Sequence, residues 1–345
     1  MALEHVTVAL DWTPNTNHVG FYIAQALGMY SEQGLAVTFV SPHSDNYEIT
    51  PASRVAAGEA TFGLGPSETL FSYHSLSERP NLIAVATILQ QDLSSIATLK
   101  QSGIERPQQL DGKRYASYGA RYEGRIVQKM IQNDGGKGDF QEVVPAKLGI
   151  WNTLLQGEAD ATWVFSGWEG CAAAIAGIEL HELRLSDYGI PYGYSPVVFC
   201  HPDTIKDSGN MLAKFLLATE KGFAWAASKH SADVTNLFVE QVDKDHPDLP
   251  EGTVPKELVR ESVQYMKGSF LHDDGHWGRM DPAVWEGFLF WLQKEGLLTT
   301  YIQSRNPVPG TSVTLDELRQ GNVGSPLPQE RFKLDQIYTN KFLEL

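Results

Sequence analysis

The chain has few cysteines, fewer basic than acidic side chains and no long apolar run. Only Cys171 and Cys200 are cysteines, too few for a zinc or disulfide framework, so both are expected to be buried, reduced thiols. The formal net charge of −15 argues against nucleic acid or an anionic membrane as a partner, because both require a basic surface. No stretch approaches the roughly 20 consecutive apolar residues of a membrane span, so no membrane insertion is expected.

The length of 345 residues exceeds what one hydrophobic core ordinarily serves, so two domains are expected. The composition, 42% hydrophobic and 20% charged, is that of a globular protein. The first residues, Met1 to His5, lack the basic and apolar regions of a signal peptide. We therefore predict a cytoplasmic protein. The alternative is a periplasmic or otherwise extracytoplasmic protein whose signal peptide has been removed.

A polar loop with one large aromatic ring follows the first predicted strand, His5–Leu10. The loop carries Asp11, Trp12, Asn15 and His18, and an apolar-periodic helix comes next. Ligands of α/β proteins bind beyond the carboxyl ends of the strands. Trp12 offers a flat face to a planar ring, and Asp11 offers an acceptor to amino or ring N–H groups. On spacing alone, a polar turn or helix cap beside a buried tryptophan is an equal alternative.

Later strand-to-helix loops add further candidate contacts. Ser67 and Glu68 stand at a predicted helix N-terminus, where exposed N–H groups favour anions or acidic side chains. Trp168 and Glu169 follow a predicted strand and begin a helix. Tyr118, Tyr188 and Tyr192 lie on predicted loops, and packing is the alternative role for each of them. The predicted ligand contacts are Asp11, Trp12, Asn15, His18, Ser67, Glu68, Tyr118, Trp163, Trp168, Glu169, Tyr188 and Tyr192.

Strands alternate with helices in two successive cycles, which predicts an α/β fold built from parallel βαβ units. We predict that lobe one consists of residues 1–92 and 196–345, the latter ending in a helical extension, and that lobe two consists of residues 93–195. A chain that crosses between two lobes twice forms a hinge, and the ligand is expected in the cleft between the lobes.

Several motifs resemble the substrate-binding proteins for thiamine pyrimidine precursors. The segments that carry the resemblance are Leu10–His18, Gly28–Leu35, Gly58–Gly63, Gly157–Ala161 and Trp163–Glu169. The resemblance implies a type II periplasmic-binding-protein-like fold with a pyrimidine in the cleft between its lobes. It also implies an ABC transporter as partner, provided that the protein is exported.

The same superfamily contains the thiamine pyrimidine synthase. That enzyme holds pyridoxal phosphate on a lysine and consumes the cofactor and a histidine in an iron-dependent, single-turnover reaction. In this chain the matching positions hold Gly65 and Thr69, and the first lysine is Lys100. An amine for the Schiff base is therefore missing from the opening βα units.

The prediction is a non-catalytic protein that binds hydroxymethylpyrimidine or formylaminomethylpyrimidine and needs no cofactor. Trp12 and either Trp163 or Trp168 would stack on the ring, while Asp11 and Glu169 would accept hydrogen bonds from its amino group. The alternative is an enzyme, either a divergent pyrimidine synthase that lacks the usual lysine or a hydrolase acting on such a pyrimidine.

Two further segments contain residues of metal-ligand or phosphate-binding type. His272–His276 contains residues of metal-ligand type, but a solvated turn is the favoured interpretation and no metal is predicted. The loop Gly119–Gly124 has the glycines of a phosphate cradle, with Arg121 or Arg125 as a source of charge. In the synthase that it resembles, the corresponding loop holds the cofactor phosphate. A phosphorylated pyrimidine therefore stays open as a ligand.

Overall fold

The computed structural model describes residues 2–145, 151–304 and 310–343. The chain divides into two units. Unit one contains Met1–Asp92, Gly193–Pro282 and Phe332–Leu345, and unit two contains Leu93–Tyr192 and Ala283–Arg331.

The position of residues 283–331 differs from the predicted lobes, since all of residues 196–345 were expected in lobe one. In the structure this segment belongs to unit two, where it is held by polar contacts. Lys129 Nζ lies 2.9 Å from Glu295 Oε2, and Arg121 donates to the Thr299 carbonyl at 2.6 Å. Periodicity in the sequence does not record such contacts between distant segments.

Each unit is built on one five-stranded mixed sheet. The strands are β1 (Glu4–Ala9), β2 (Leu35–Val40), β3 (Phe62–Gly65), β4 (Ile83–Thr87), β5 (Ser94–Leu99), β6 (Arg114–Ala116), β7 (Gln141–Val143), β8 (Ala161–Phe165), β9 (Leu180–Arg184) and β10 (Val197–Cys200). The strand order is β2-β1-β3-β10-β4 in unit one and β7-β6-β8-β5-β9 in unit two.

The helices cover both units and dominate the second half of the chain. They are α1 (Val19–Ala26), α2 (Met29–Glu32), α3 (Pro51–Ala56), α4 (Glu68–His74), α5 (Glu123–Asn133), α6 (Cys171–Ile175), α7 (Pro202–Asp207), α8 (Gly209–Ser228), α9 (Ser231–Asp245), α10 (Lys256–Met266), α11 (Pro282–Lys294), α12 (Leu315–Arg319) and α13 (Leu334–Ile337). None of the helices in the described ranges combines the length and apolarity needed to cross a bilayer. The predicted α/β fold with a helical C-terminal region is confirmed.

Parallel pairing in unit one gathers three loops at one sheet edge. β1 pairs in parallel with β2 from Glu4↔Leu35 to Ala9↔Val40, and it pairs in parallel with β3 as well. The loops that follow Ala9, Val40 and Gly65 therefore leave the sheet at the same edge. In unit two, β6 and β8 are also parallel, so the segments after Ala116 and Phe165 share an edge in the same way.

The two cysteines are free thiols. Cys200 is buried in β10, and burial raises the pKa of its thiol to about 12. Cys171 was also expected to be buried but is partly exposed. It begins the short helix α6, of which only Ala173 is fully buried in the core.

The core of unit one depends on close contact between α1 and α8. Phe21 and Phe223 meet edge to face with ring centroids 5.4 Å apart. A Cβ atom on Gly222 would lie 2.0 Å from the carbonyl oxygen of Gly20 and 3.0 Å from the Ala24 Cβ. The two helices can approach this closely only because position 222 has no side chain.

We expect Gly222→Ala to lower the free energy of unfolding by about 1.5 kcal/mol, because the added methyl group clashes with backbone. The matched control is Gly268→Ala, since a Cβ there has nothing within 4 Å. Thermal unfolding of both variants provides the measurement. Equal melting temperatures for the two variants would contradict this account of the helix contact.

Candidate functional site

Asp11 is held in a fixed orientation by His18. The His18 Nε2 atom lies 2.8 Å from Asp11 Oδ1, and its Nδ1 atom lies 3.2 Å from the backbone nitrogen of Asn15. A backbone N–H can only donate, so Nδ1 accepts and Nε2 carries the proton that is donated to Asp11. The His18 side chain is fully buried, whereas that of Asp11 is 19% exposed. His18 therefore fixes the Asp11 carboxylate from the buried side of the loop. The exposed part of Asp11 can contact a ligand.

Asn15 stabilises the turn on which this pair stands. Its side-chain oxygen accepts from the Asn17 backbone N–H at 2.9 Å, and its side-chain nitrogen donates to the Thr13 carbonyl at 3.0 Å. Asn15 thereby caps the short 3-10 turn Thr16–His18. Both ends of the amide are engaged in local structure, so Asn15 has the capping role that is the alternative to ligand binding.

Trp12 stands beside Tyr47, which the sequence prediction did not include. Their ring centroids are 4.8 Å apart with planes inclined by 50°, and the Tyr47 hydroxyl shares a hydrogen bond with the Thr13 hydroxyl. Tyr47 follows Asn46, and both have positive φ angles, 63° and 59°, a rare conformation for residues other than glycine. Partial burial raises the pKa of Tyr47. The signal for Tyr47 was its loop, which follows β2 and so reaches the sheet edge of Asp11.

The third loop at this edge carries Ser67 and Glu68. The Ser67 backbone N–H donates to the Tyr194 carbonyl at 2.8 Å, while its fully buried hydroxyl has no hydrogen-bond partner among the described residues. Glu68 is buried at the first position of α4. Unit one thus brings residues from three of the predicted loops to one edge of its sheet.

In unit two, Trp163 and Tyr192 belong to an aromatic cluster. Their ring centroids are 5.3 Å apart, and Tyr192 also packs against Phe288 at 5.1 Å. Trp163 is only 6% exposed. These rings contribute chiefly to packing, which was the alternative considered for the tyrosines.

Trp168 and Glu169 lie in a π-helical turn, Ser166–Gly170, directly after β8. Single π-helical turns occur frequently at functional sites. Trp168 is partly exposed. Glu169 Oε2 accepts from the Phe165 backbone N–H at 2.9 Å, and burial raises the pKa of Glu169 to about 7, with a further upward contribution from Glu182.

Tyr118 and Tyr188 lie at opposite ends of α5. The Tyr118 backbone N–H donates to Glu123 in the first turn of the helix, while the Tyr188 carbonyl accepts from Asn133 in the last turn at 2.8 Å. A helix of 11 residues is roughly 16 Å long. The structure therefore does not bring Tyr188 together with Tyr118.

The His272–His276 segment forms a turn whose histidines pair with carboxylates. His272 Nδ1 lies 3.2 Å from Asp274 Oδ1, and His276 Nδ1 lies 2.7 Å from Glu220 Oε1. Within residues 2–145, 151–304 and 310–343, no group of three or more His, Cys, Asp or Glu side chains is arranged to hold a metal ion. Electrostatics raises the pKa of His276, chiefly through its hydrogen bond with Glu220.

Known proteins resemble this chain in sequence or in fold. The formylaminopyrimidine-binding protein of Halalkalibacterium halodurans is 25% identical over 294 residues, which cover 84% of this chain and 85% of that protein. The 4-amino-5-hydroxymethyl-2-methylpyrimidine phosphate synthase THI13 of Saccharomyces cerevisiae is 25% identical over 166 residues, 47% of this chain and 46% of the enzyme.

Solved structures agree on the fold. A Bordetella bronchiseptica protein superposes with a TM-score of 0.65 at 15% identity, over 98% of this chain and 95% of that one. A Candida albicans protein described as having the generic periplasmic binding protein fold matches with a TM-score of 0.53 at 13% identity, over 81% and 99% of the two chains. The predicted periplasmic-binding-protein-like fold is confirmed. The family model described as NMT1/THI5 like matches residues 15–231, and the chain belongs to this family.

Proposed function

We propose that the chain is a non-catalytic binding protein for a thiamine-type pyrimidine, either hydroxymethylpyrimidine or formylaminomethylpyrimidine. The observation that carries the proposal is the Asp11 carboxylate, oriented by buried His18 next to the Trp12 indole. An aminopyrimidine presents an amino donor and a flat aromatic face, so it pairs with a carboxylate and stacks on an indole. The name of the H. halodurans relative supports the same ligand class.

A divergent pyrimidine synthase is the alternative, supported by the name of the yeast relative. The residues favour binding. Gly65 and Thr69 stand where the synthase has its lysine and histidine, and no lysine precedes Lys100. A Cβ on Gly65 would have its nearest neighbours at 3.4 Å and 3.6 Å, so the position would accept a Cβ atom but carries none.

The proposed partner is the membrane complex of an ABC transporter, because solved proteins of similar fold are described as binding components of ABC-type import systems. Such a role requires the protein to work outside the cytoplasm, which is the alternative to the cytoplasmic prediction. Fractionation of the source cells with an antibody against the chain tests it. Recovery in the extracytoplasmic fraction would support transport, and recovery in the cytosol would favour a cytosolic sensor or enzyme.

Trp168 and Glu169 are the proposed ligand contacts of unit two, and they are tested by themselves. We expect Glu169→Gln to weaken binding of the preferred pyrimidine at least tenfold, about 1.4 kcal/mol, at pH 8. The reason is that the amino group of the ligand donates to the ionised carboxylate, and glutamine carries no charge. Titration calorimetry provides the measurement, with Glu179→Gln, an exposed acid on the same unit, as the matched control.

The pH dependence has a defined sign. Since the pKa of Glu169 is about 7, the carboxylate is mostly protonated at pH 6 and mostly ionised at pH 8. Affinity of the unmodified protein should therefore rise roughly tenfold between these pH values, while that of Glu169→Gln should change much less. Equal pH profiles for the two proteins would show that Glu169 does not contact the ligand.

A further inference from the structure

The loop between β6 and α5 has the architecture of an anion site, yet a carboxylate of the chain itself occupies it. Gly119 has a φ of 67°, and the backbone N–H groups of the loop precede the N-terminus of an 11-residue helix, where anions normally bind. Tyr118 N lies 3.1 Å from Glu123 Oε1, and Ala120 N lies 3.3 Å from Glu123 Oε2. The intervening Gly119 N–H donates to the Ser117 hydroxyl at 2.8 Å. Three successive N–H donors are thus satisfied within the loop.

Glu123 is fixed in this position. Its side chain is almost fully buried, and Oε1 accepts a further hydrogen bond from the Tyr115 hydroxyl at 2.7 Å. Burial raises the pKa of Glu123 to about 7, and the nearby Glu142 carboxylate also raises it. Above about pH 7, where Glu123 is mostly ionised, an incoming phosphate would meet the charge of this carboxylate where the phosphate requires donors.

The nearest arginine of the loop is directed elsewhere. The Arg121 guanidinium donates to the Thr299 carbonyl at 2.6 Å and lies 5.3 Å from the centre of the Tyr122 ring. Its Nε and Nη1 atoms have no hydrogen-bond partner in the described part of the chain. Arg121 can therefore attract an anion independently of Glu123, as can Arg125, whose Nε atom also has no partner among the described residues, and the experiment has to separate these effects.

We propose that Glu123 acts as a built-in anion that keeps phosphate out of the Ser117–Ala120 loop, so that this chain selects an unphosphorylated pyrimidine. The choice of pyrimidine rests on the proposed function; the occupation of the loop donors does not. A phosphate group would have to displace a buried carboxylate from the Tyr118 and Ala120 N–H groups. Glu123 is thus a specificity-determining residue that acts through the loop and does not itself contact the ligand.

The test compares the unmodified protein with Glu123→Ala and Glu123→Gln at pH 8, where Glu123 is mostly ionised. Each protein is titrated with hydroxymethylpyrimidine, with its phosphate ester and with inorganic phosphate, by calorimetry and by phosphorus NMR line width. The unmodified protein should show no binding of inorganic phosphate up to about 10 mM, and it should bind the unphosphorylated pyrimidine at least 100-fold more tightly than the ester. In Glu123→Ala this preference should fall at least tenfold, and inorganic phosphate should broaden its signal.

Glu123→Gln should change the preference less, by about threefold, because the amide fills the same space and still accepts from one N–H group. Melting temperatures establish that each variant is folded. If the alanine variant is not folded, the threefold change expected for the glutamine variant decides. An unchanged preference in the folded variants would overturn the proposal. So would phosphate binding by the unmodified protein that is lost in Arg121→Met. If no pyrimidine binds at all, the proposed function fails, and the inorganic phosphate titrations still decide the role of Glu123.

Discussion

Asp11→Asn is expected to weaken pyrimidine binding roughly 100-fold, about 2.7 kcal/mol, the largest effect of any single change in the proposed site. His18 Nε2 carries the proton that Asp11 accepts, so the amide oxygen of asparagine will face His18. The amide NH₂ then replaces the second carboxylate oxygen. A donor would stand where the ligand amino group needs an acceptor, and the charge would be lost as well.

The substitution leaves the turn intact, because the bond from His18 is retained. Asp273→Asn is the matched control, since Asp273 is an exposed acid on the same unit. Calorimetry on both variants gives the ratio of affinities, and thermal unfolding reports any change in stability. An affinity within threefold of the unmodified protein would show that Asp11 does not contact the ligand.

Trp12→Ala is expected to weaken binding at least tenfold, about 1.4 kcal/mol, because stacking of a base on an aromatic side chain contributes this much or more. Tyr47 supports the indole at 4.8 Å, and its hydroxyl is fixed by Thr13. The indole is therefore held in place before the ligand arrives. Trp12→Phe should recover part of the loss, since it keeps a smaller flat face.

Trp151→Ala provides the comparison for Trp12→Ala. Trp151 is 41% exposed and lies in a turn of unit two, so its removal should leave the affinity unchanged. Equal affinities for Trp12→Ala and Trp151→Ala would exclude the indole of Trp12 from the site. A loss in both variants would point to a general effect on folding, which melting temperatures would reveal.

Local patterns in the sequence were sufficient to predict the fold and the loop that carries one part of the candidate site. A buried strand followed by a polar turn and an apolar-periodic helix describes β1, the Asp11–His18 loop and α1. The motif Leu10–His18 also indicated the family, which the match over residues 15–231 confirms. These features depend on neighbouring residues, so they are visible without a structure.

Contacts between distant segments could not be predicted in this way. Tyr47 lies beside Trp12 because β1 and β2 pair in parallel, and Asn46 and Tyr47 have positive φ angles that local patterns do not predict. The role of His18 depends on which of its nitrogens faces Asn15. In the sequence, Glu123 at the start of α5 is an ordinary acidic residue of a first helical turn. Only the structure shows that its carboxylate accepts hydrogen bonds from the backbone N–H groups of the preceding loop.

The measurement that tests the account most directly is calorimetric titration of the purified protein with hydroxymethylpyrimidine and formylaminomethylpyrimidine, with pyridoxal phosphate alongside. We predict a submicromolar dissociation constant for one of the pyrimidines, about −8 kcal/mol or more favourable, and no response to pyridoxal phosphate. Tight binding of pyridoxal phosphate, or no binding of either pyrimidine, would contradict the account.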